Sequence, residues 1–390
     1  MKYNFDKVID RSGTSAEKVE GLKHIWGRTD LIPLWVADMD FATAPFVTDA
    51  IRKRCENEVL GYTGKPDSYY NAIINWVKQR YDLIVTKEVI NFVPGIVPGI
   101  GMAMNCFTQK GDKVMIQPPV YHPFAWVTTR KERTLVINPL RWENGMYRMD
   151  LDAFREQIKG CKLFILCNPH NPGGVVWTEA ELRAIADICY DEKVLVFSDE
   201  IHADLTLPPH THRPFATVSE KARMNSVTFM SPSKAFNMPG LSASHALIFN
   251  EDLRKRFRIY MDAGELDMGH VFAFLSVEAA YSHGTEWLDQ CLAYIQGNID
   301  FVDEFLKKHA PKIKAIRPEA SYLVWLDCRE LELSQKDLNE FFVDKAHLAL
   351  NDGEMFGKEG IGFMRLNVAS PRCIIEKAMK QLADAYQLYI

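Results

Sequence analysis

Ser226-Val227-Thr228-Phe229-Met230-Ser231-Pro232-Ser233-Lys234 runs from an apolar, β-branched segment into a turn that ends on a lysine. The chain then leaves through Ala235-Phe236-Asn237-Met238-Pro239-Gly240. An apolar run without polar alternation predicts a strand buried on both faces. A lysine just past such a strand, with two serines beside it, is poorly solvated. Its pKa is expected to fall, and an unprotonated lysine amine forms imines with carbonyls. A lone lysine here is also what an ordinary surface turn looks like. The decision rests on what the neighbouring strands end on.

Working outward, apolar strands are expected at 89–93, 113–116, 134–137, 162–167, 194–197, 227–230 and 246–249. Helices are expected between several of them, the clearest at 178–190, where Thr178 and Glu181 have capping-box spacing. Strands apolar on both faces, alternating with helices, predict an α/β domain with a mostly parallel sheet covered on both sides. After about residue 270 the pattern changes. A long helix is expected over 285–309, strands over 313–316, 322–326 (alternating) and 363–368, and helices over 335–345 and 374–386. These predict a smaller α+β domain. Upstream, helices are expected at 45–58 and 67–81, and Leu31 to Phe41 reads as an extended apolar segment meeting two acids. The expected division is an N-terminal arm, 1–45, packing with the small domain; a large domain, 46–285; and a small C-terminal domain, 286–390.

The 390 residues carry a net charge of −5. That leaves no basic surplus for nucleic acid or an anionic membrane. The eight cysteines are scattered without metal-ligand spacing, which fits a reducing compartment, and no metal site is expected. No apolar leader opens the chain and no apolar run reaches about 20 residues, so a cytoplasmic protein is expected.

In open α/β sheets ligands bind at the carboxyl ends of the strands. Four expected strands end on Gly95-Ile96-Val97, on Asn168 to Gly174, on Asp199 to His202 and on Ser231 to Lys234. These supply a phosphate cradle, an asparagine-rich loop, an acid and a lysine, the set that pyridoxal 5'-phosphate needs. Taken singly, each has a plainer explanation. Asp199 could cap a helix, Asn171-Pro172-Gly173-Gly174 could be a simple turn, and Arg365 could be a surface ion pair.

Together they resemble the fold-type I pyridoxal-phosphate enzymes of the aspartate aminotransferase superfamily. The likeness is carried by Asn171-Pro172-Gly173-Gly174, Ser198-Asp199-Glu200-Ile201-His202, Ser231-Pro232-Ser233-Lys234 and Phe363-Met364-Arg365-Leu366-Asn367. Leu34 to Phe41, Gly61-Tyr62-Thr63-Gly64, Pro119 to Phe124, Asn168 to Pro172 and Asp352 to Gly357 look, more narrowly, like the carbon–sulfur β-lyase branch. That branch holds the cystathionine β-lyases of the PatB type, cystalysin and the maltose-regulon modulator proteins.

The resemblance implies a seven-stranded, mostly parallel sheet flanked by helices, plus the smaller α+β domain. It implies that Lys234 carries the cofactor covalently and serves as base at the substrate Cα, that Asp199 pairs with the pyridine nitrogen, and that Asn171 donates to the ring oxygen. Tyr121 would stack on the ring, and His202 would lie near the ring oxygen or Asp199. Ser231, Ser233 and the amides of Ile96 and Val97 would hold the phosphate. Tyr62 would reach the phosphate of the neighbouring subunit in a homodimer. Arg365, with the Ala37 amide opposite, would take the α-carboxylate. Aminotransferases usually place an arginine on the phosphate a few residues after the lysine. None follows Lys234 here, which favours the lyase branch. The expected activity is α,β-elimination of S-linked L-amino acids such as L-cystathionine to pyruvate, ammonia and a thiol, with Tyr121 assisting. The same scaffold also supports a class I/II aminotransferase, and the branch admits a regulatory protein that contacts a transcription activator. Residues 260–270 are expected to line the pocket or a dimer contact.

Overall fold

In the computed structural model, which describes residues 2–389, the apolar runs assemble into one seven-stranded sheet. Its strands are β1 (Ile90–Val93), β2 (Lys113–Ile116), β3 (Thr134–Ile137), β4 (Cys161–Cys167), β5 (Leu195–Asp199), β6 (Ser226–Met230) and β7 (Ser244–Leu247). Their order across the sheet is β1-β7-β6-β5-β4-β2-β3. Strands β2 to β6 pair in parallel, and β7 runs antiparallel to both β1 and β6. Every residue of β6 is buried, as is nearly every residue of β4 and β5. Helices cover both faces, which is why these strands show no polar alternation. The helix Glu179–Asp191 starts on a capping box: Glu181 N–H donates to Thr178 Oγ1 at 3.2 Å and Thr178 N–H to Glu181 Oε2 at 2.8 Å. Register aligns Cys167 with Asp199 and Asp199 with Phe229, so the loops after β4, β5 and β6 open at one edge.

A second, antiparallel sheet contains β8 (Lys314–Ile316), β9 (Leu323–Asp327), β10 (Asn351–Asp352) and β11 (Phe363–Asn367), in the order β8-β9-β11-β10. The helices Thr285–His309 and Arg372–Tyr389 pack together beside it. Ile32–Pro33 pairs in parallel with Leu348–Ala349, which brings the N-terminal segment to this part of the molecule.

The structure departs from the sequence expectations in three places. The stretch 322–326 alternates as if half-exposed, yet Leu323 to Leu326 are all buried. A hairpin of Arg141–Glu143 and Met146–Arg148 covers one face, and Trp325 Nε1 donates to Tyr147 Oη at 3.2 Å. The helix expected over 335–345 is α-helical only for Gln335–Glu340 and continues as a π-helical turn, Phe341–Lys345. No helix was expected over 250–284, yet it forms the helices Glu251–Asp262 and Val271–His283. The second packs against both Pro45–Cys55 and Asp67–Tyr81. A helix enclosed on several sides lacks the polar face that creates a period.

Candidate active site

The turn after β6 carries Lys234 into a cavity of about 210 Å³ at the carboxyl edge of the large sheet. The Nζ donates to the Ala37 carbonyl at 2.6 Å. Burial, opposed by Asp38 and Asp199, lowers the Lys234 pKa to about 8, and Arg365 adds to the fall. The lysine is thus an amine in reach of neutral pH.

Across the cavity Asp199 ends β5. Its Oδ1 accepts the Ile201 N–H at 3.1 Å, and among the described residues no donor reaches Oδ2. Burial raises its pKa to about 7, with the neighbouring Glu200 adding to the rise. Asn171, after β4, accepts from Arg365 through Oδ1 at 3.0 Å, and its amide nitrogen has no partner among the described residues. Burial lowers the His202 pKa to about 3, and its Nδ1 is buried without a partner. Tyr121 lines the wall, its hydroxyl pKa raised by burial and then by Asp199.

The opposite end is the N-terminus of the helix Ile96–Phe107. Gly95, at φ 153° and ψ 162°, adopts a conformation open essentially to glycine alone. It turns the chain so that the first helical amides face the cavity, the usual geometry for binding phosphate. Ser233, Ser242 and Ser244 add hydroxyls. Among the described residues lining the cavity, Lys234 is the only lysine or arginine.

The N-terminal segment closes the site as a strap without regular structure, and side chains catch five successive carbonyls of it. Arg365 Nη2 donates to Trp35 O at 3.2 Å, and Asn367 Nδ2 to Val36 O and Asp38 O, both at 2.7 Å. Lys234 and Tyr322 share Ala37 O, and Asn237 Nδ2 donates to Met39 O at 3.0 Å. Behind the strap, fully buried Lys18 meets Asp40 at 2.8 Å, and Arg11 meets Asp38 at 2.6 Å. The Ala37 amide has no acceptor among the described residues and borders the cavity.

Of the residues expected from sequence, Ala37, Ile96, Val97, Tyr121, Asn171, Asp199, His202, Ser233 and Lys234 line this one cavity. Arg365 stands beside it, joined through Asn171 and also bonded to Asn351 Oδ1 at 2.5 Å. Ser231 does not reach it. Its hydroxyl donates to Ala243 O at 2.9 Å and accepts the Ser233 N–H, so it shapes the lysine turn. Tyr62 is 99% exposed and lies outside the cavity of its own chain. Residues 260–270 do not line it either; Asp267 pairs with Lys65, and His270 Nε2 bonds Leu241 O at 2.7 Å. Ser242, Ser244, Cys167 and Tyr322 were not anticipated. Only the proximity of 242–244 to the lysine turn could have pointed to the two serines.

The sequence profile of the aminotransferase class I and II family matches residues 29–382. The chain belongs to that family. Within it, the chain is 38% identical over 384 residues to cystathionine β-lyase PatB of Bacillus subtilis (strain 168), covering 98% of this chain and 99% of that one. Cystalysin from Treponema denticola, a structure that contains pyridoxal 5'-phosphate, superposes with a TM-score of 0.97 at 33% identity, over 100% of both chains. The pyridoxal-phosphate-bound C–S lyase from Staphylococcus hominis superposes with a TM-score of 0.91 at 35% identity, over 99% of this chain and 98% of that one.

The family member described here fits that cofactor on its own geometry. The buried Asp199 has one carboxylate oxygen that no donor reaches among the described residues, which suits a protonated ring nitrogen. Asn171 has a free amide nitrogen for a ring oxygen. The Gly95 turn leaves backbone amides for a phosphate, and Lys234 supplies the amine. Among the described residues no cluster of three metal-ligating side chains occurs, and no helix is long and apolar enough to cross a membrane.

Proposed function

We propose that the chain is a pyridoxal-phosphate-dependent carbon–sulfur β-lyase, releasing a thiol from S-linked L-amino acids such as L-cystathionine. The observation that carries this reading is that Lys234 and the buried Asp199 line one cavity, with no arginine among the described residues that line it. The similarity to cystathionine β-lyase PatB along nearly the whole chain supports it.

Bound there, pyridoxal phosphate would supply an electron sink for the pair left when the Cα proton departs. The chain's own groups do the rest. The Arg365 guanidinium and the Ala37 amide bind the α-carboxylate, and that clamp turns the Cα–H bond toward Lys234. The Lys234 amine, whose proton affinity burial lowers toward neutral pH, takes the Cα proton. Asp199, as a carboxylate, would pair with the ring nitrogen and keep it protonated; the charge of that nitrogen would offset the burial that raises the Asp199 pKa. Asn171 would donate to the ring oxygen, and Tyr121, on the cavity wall, would cover the ring. Helix amides and serine hydroxyls would hold the phosphate. As the Cβ–S bond breaks, the thiolate takes a proton and leaves; the three-carbon remainder adds water to give pyruvate and ammonia.

The partner subunit's phosphate end is the proposed destination of Tyr62, which makes the working enzyme a homodimer. The exposed loop 56–64 around it, including Val59 and Leu60, supports this. A reducing, cytoplasmic setting is consistent with eight free cysteines.

The test is incubation of the cofactor-loaded protein with L-cystathionine, scored for pyruvate and thiol, with a parallel arm offering a keto acid as amino acceptor. Stoichiometric pyruvate and thiol are expected. Amino exchange without thiol release would make the protein an aminotransferase on the same site.

A further inference from the structure

The Ala37 carbonyl accepts two hydrogen bonds, from Lys234 Nζ at 2.6 Å and from Tyr322 Oη at 3.0 Å. A carbonyl oxygen has two lone pairs, so each donor takes one. Tyr322 is fully buried and fixed immediately before β9. Its carbonyl accepts the Val368 N–H at 2.9 Å, and the adjacent Ser321 N–H donates to Leu205 O at 2.9 Å. Its ring lies 6.5 Å from that of His202. The small sheet therefore reaches through one hydroxyl to the resting place of the lysine on the large sheet.

We propose that Tyr322 is a positioning residue for Lys234, acting through the carbonyl that both groups share. It does so in two ways. It holds the Ala37 oxygen at a fixed angle, so the lysine amine has one defined site when it is not bonded to the cofactor. It also draws on the same oxygen charge, so the carbonyl stabilises an ammonium less than it would with Lys234 alone. Lys234 is thereby kept closer to its reactive amine form. The other charged groups facing Lys234 are Asp38 on the strap, Arg365 on β11 and Asp199 on β5; Asp40 and Cys291 also face Tyr322. All of these remain when the phenol oxygen is removed, so they do not account for a difference between variants.

This inference rests on Lys234 being the lysine that binds the cofactor, and the test reads that step apart from turnover. Full-length chain stripped of cofactor is mixed with pyridoxal 5'-phosphate, and the rate of covalent uptake is followed by absorbance from pH 6 to 10 for wild type and Tyr322→Phe. The rate depends on the fraction of free amine. Removing the competing donor should move the midpoint up by about 0.5 pH unit, roughly threefold slower uptake on the acid side, with the alkaline plateau unchanged. Site-specific 3-fluorotyrosine at 322 keeps the packing but makes the hydroxyl a stronger donor, and should move the midpoint down. If Tyr322→Phe fails to fold, the fluorotyrosine arm decides alone. Coincident profiles, or shifts in the reverse order, overturn the proposal. A wild-type chain that takes up no cofactor overturns it together with the lyase reading. Normal, ordered shifts in a protein that releases no thiol leave it standing and remove only the lyase reading.

Discussion

Arg365 donates through Nη1 to Asn171 Oδ1 at 3.0 Å, so the group proposed to hold the substrate carboxylate also orients the group proposed to face the cofactor. The same guanidinium reaches Asn351 and Trp35 O. Arginine's planar fork serves acceptors in several directions at once, and a lysine ammonium cannot reproduce it.

Arg365→Lys is therefore expected to raise KM for the amino acid about 100-fold, equivalent to about 3 kcal/mol of lost charge-assisted hydrogen bonding. It should also shift the visible absorbance of the cofactor-loaded protein, because Asn171 is released. Steady-state kinetics and a spectrum check both. An unchanged KM would remove Arg365 from the carboxylate clamp.

Tyr62→Phe should weaken cofactor binding by roughly tenfold, the value of one hydrogen bond to a charged group. Mixed with Lys234→Ala, it should regain tight binding and turnover at one site per hybrid dimer, because each chain supplies what the other lacks. Hybrids that remain as weak as their parents would show that Tyr62 does not serve the partner subunit.

Asn237 ties the lysine turn to the strap. Its Oδ1 accepts the Met39 N–H at 3.0 Å, its Nδ2 donates to Met39 O and Phe41 O, and its own φ is 51°. Asn237→Ala should cost about 3 kcal/mol in denaturant unfolding, from unpaired strap groups and a left-handed backbone. Asn237→Gly relieves only the backbone part and should recover about 1 kcal/mol of it. Equal stability of wild type and Asn237→Gly would mean that the strap holds without this side chain.

His245, in β7, is fully buried and neither ring nitrogen has a partner. Burial lowers its pKa from 6.5 to about 3. Between those values the unfolded chain binds a proton that the folded one refuses, so stability falls as pH drops below about 6.5 and the loss levels off near 3. His245→Leu should flatten the dependence of unfolding free energy on pH between 4 and 6 by about 1.4 kcal/mol per pH unit. Parallel curves would show that this imidazole is protonated in the folded protein.

Lys234, Asp199 and Asn171 could be read from sequence because each follows a run of buried residues, and parallel strands place such ends together. Arg365 and Tyr62 rested on resemblance alone. The strap was legible only as an extended segment with two acids. Its order comes from side chains such as Asn237, Asn367 and Tyr322 reaching single carbonyls, and such contacts leave no period in the sequence. Ser231 was assigned to the phosphate, together with Ser233, by the resemblance. Which hydroxyl faces outward is decided by the Ala243 carbonyl that follows the turn, a contact that neighbouring sequence does not announce. Val271–His283 escaped notice for the opposite reason, since burial on several sides erased its pattern.

The strap also sets the order in which the chain becomes competent. Arg365 and Asn367 lie 330 and 331 positions beyond the carbonyls of Trp35 and Val36 that they hold. A ribosome that has delivered the chain only through β10 has already supplied Ile96, Asn171, Asp199 and Lys234, yet the first-made segment near the lysine has nothing on one side to fasten it. Closing so distant a contact is slow relative to local folding. With Arg365 as the proposed carboxylate clamp, a nascent chain can meet the cofactor early but completes that clamp only when the last strand docks.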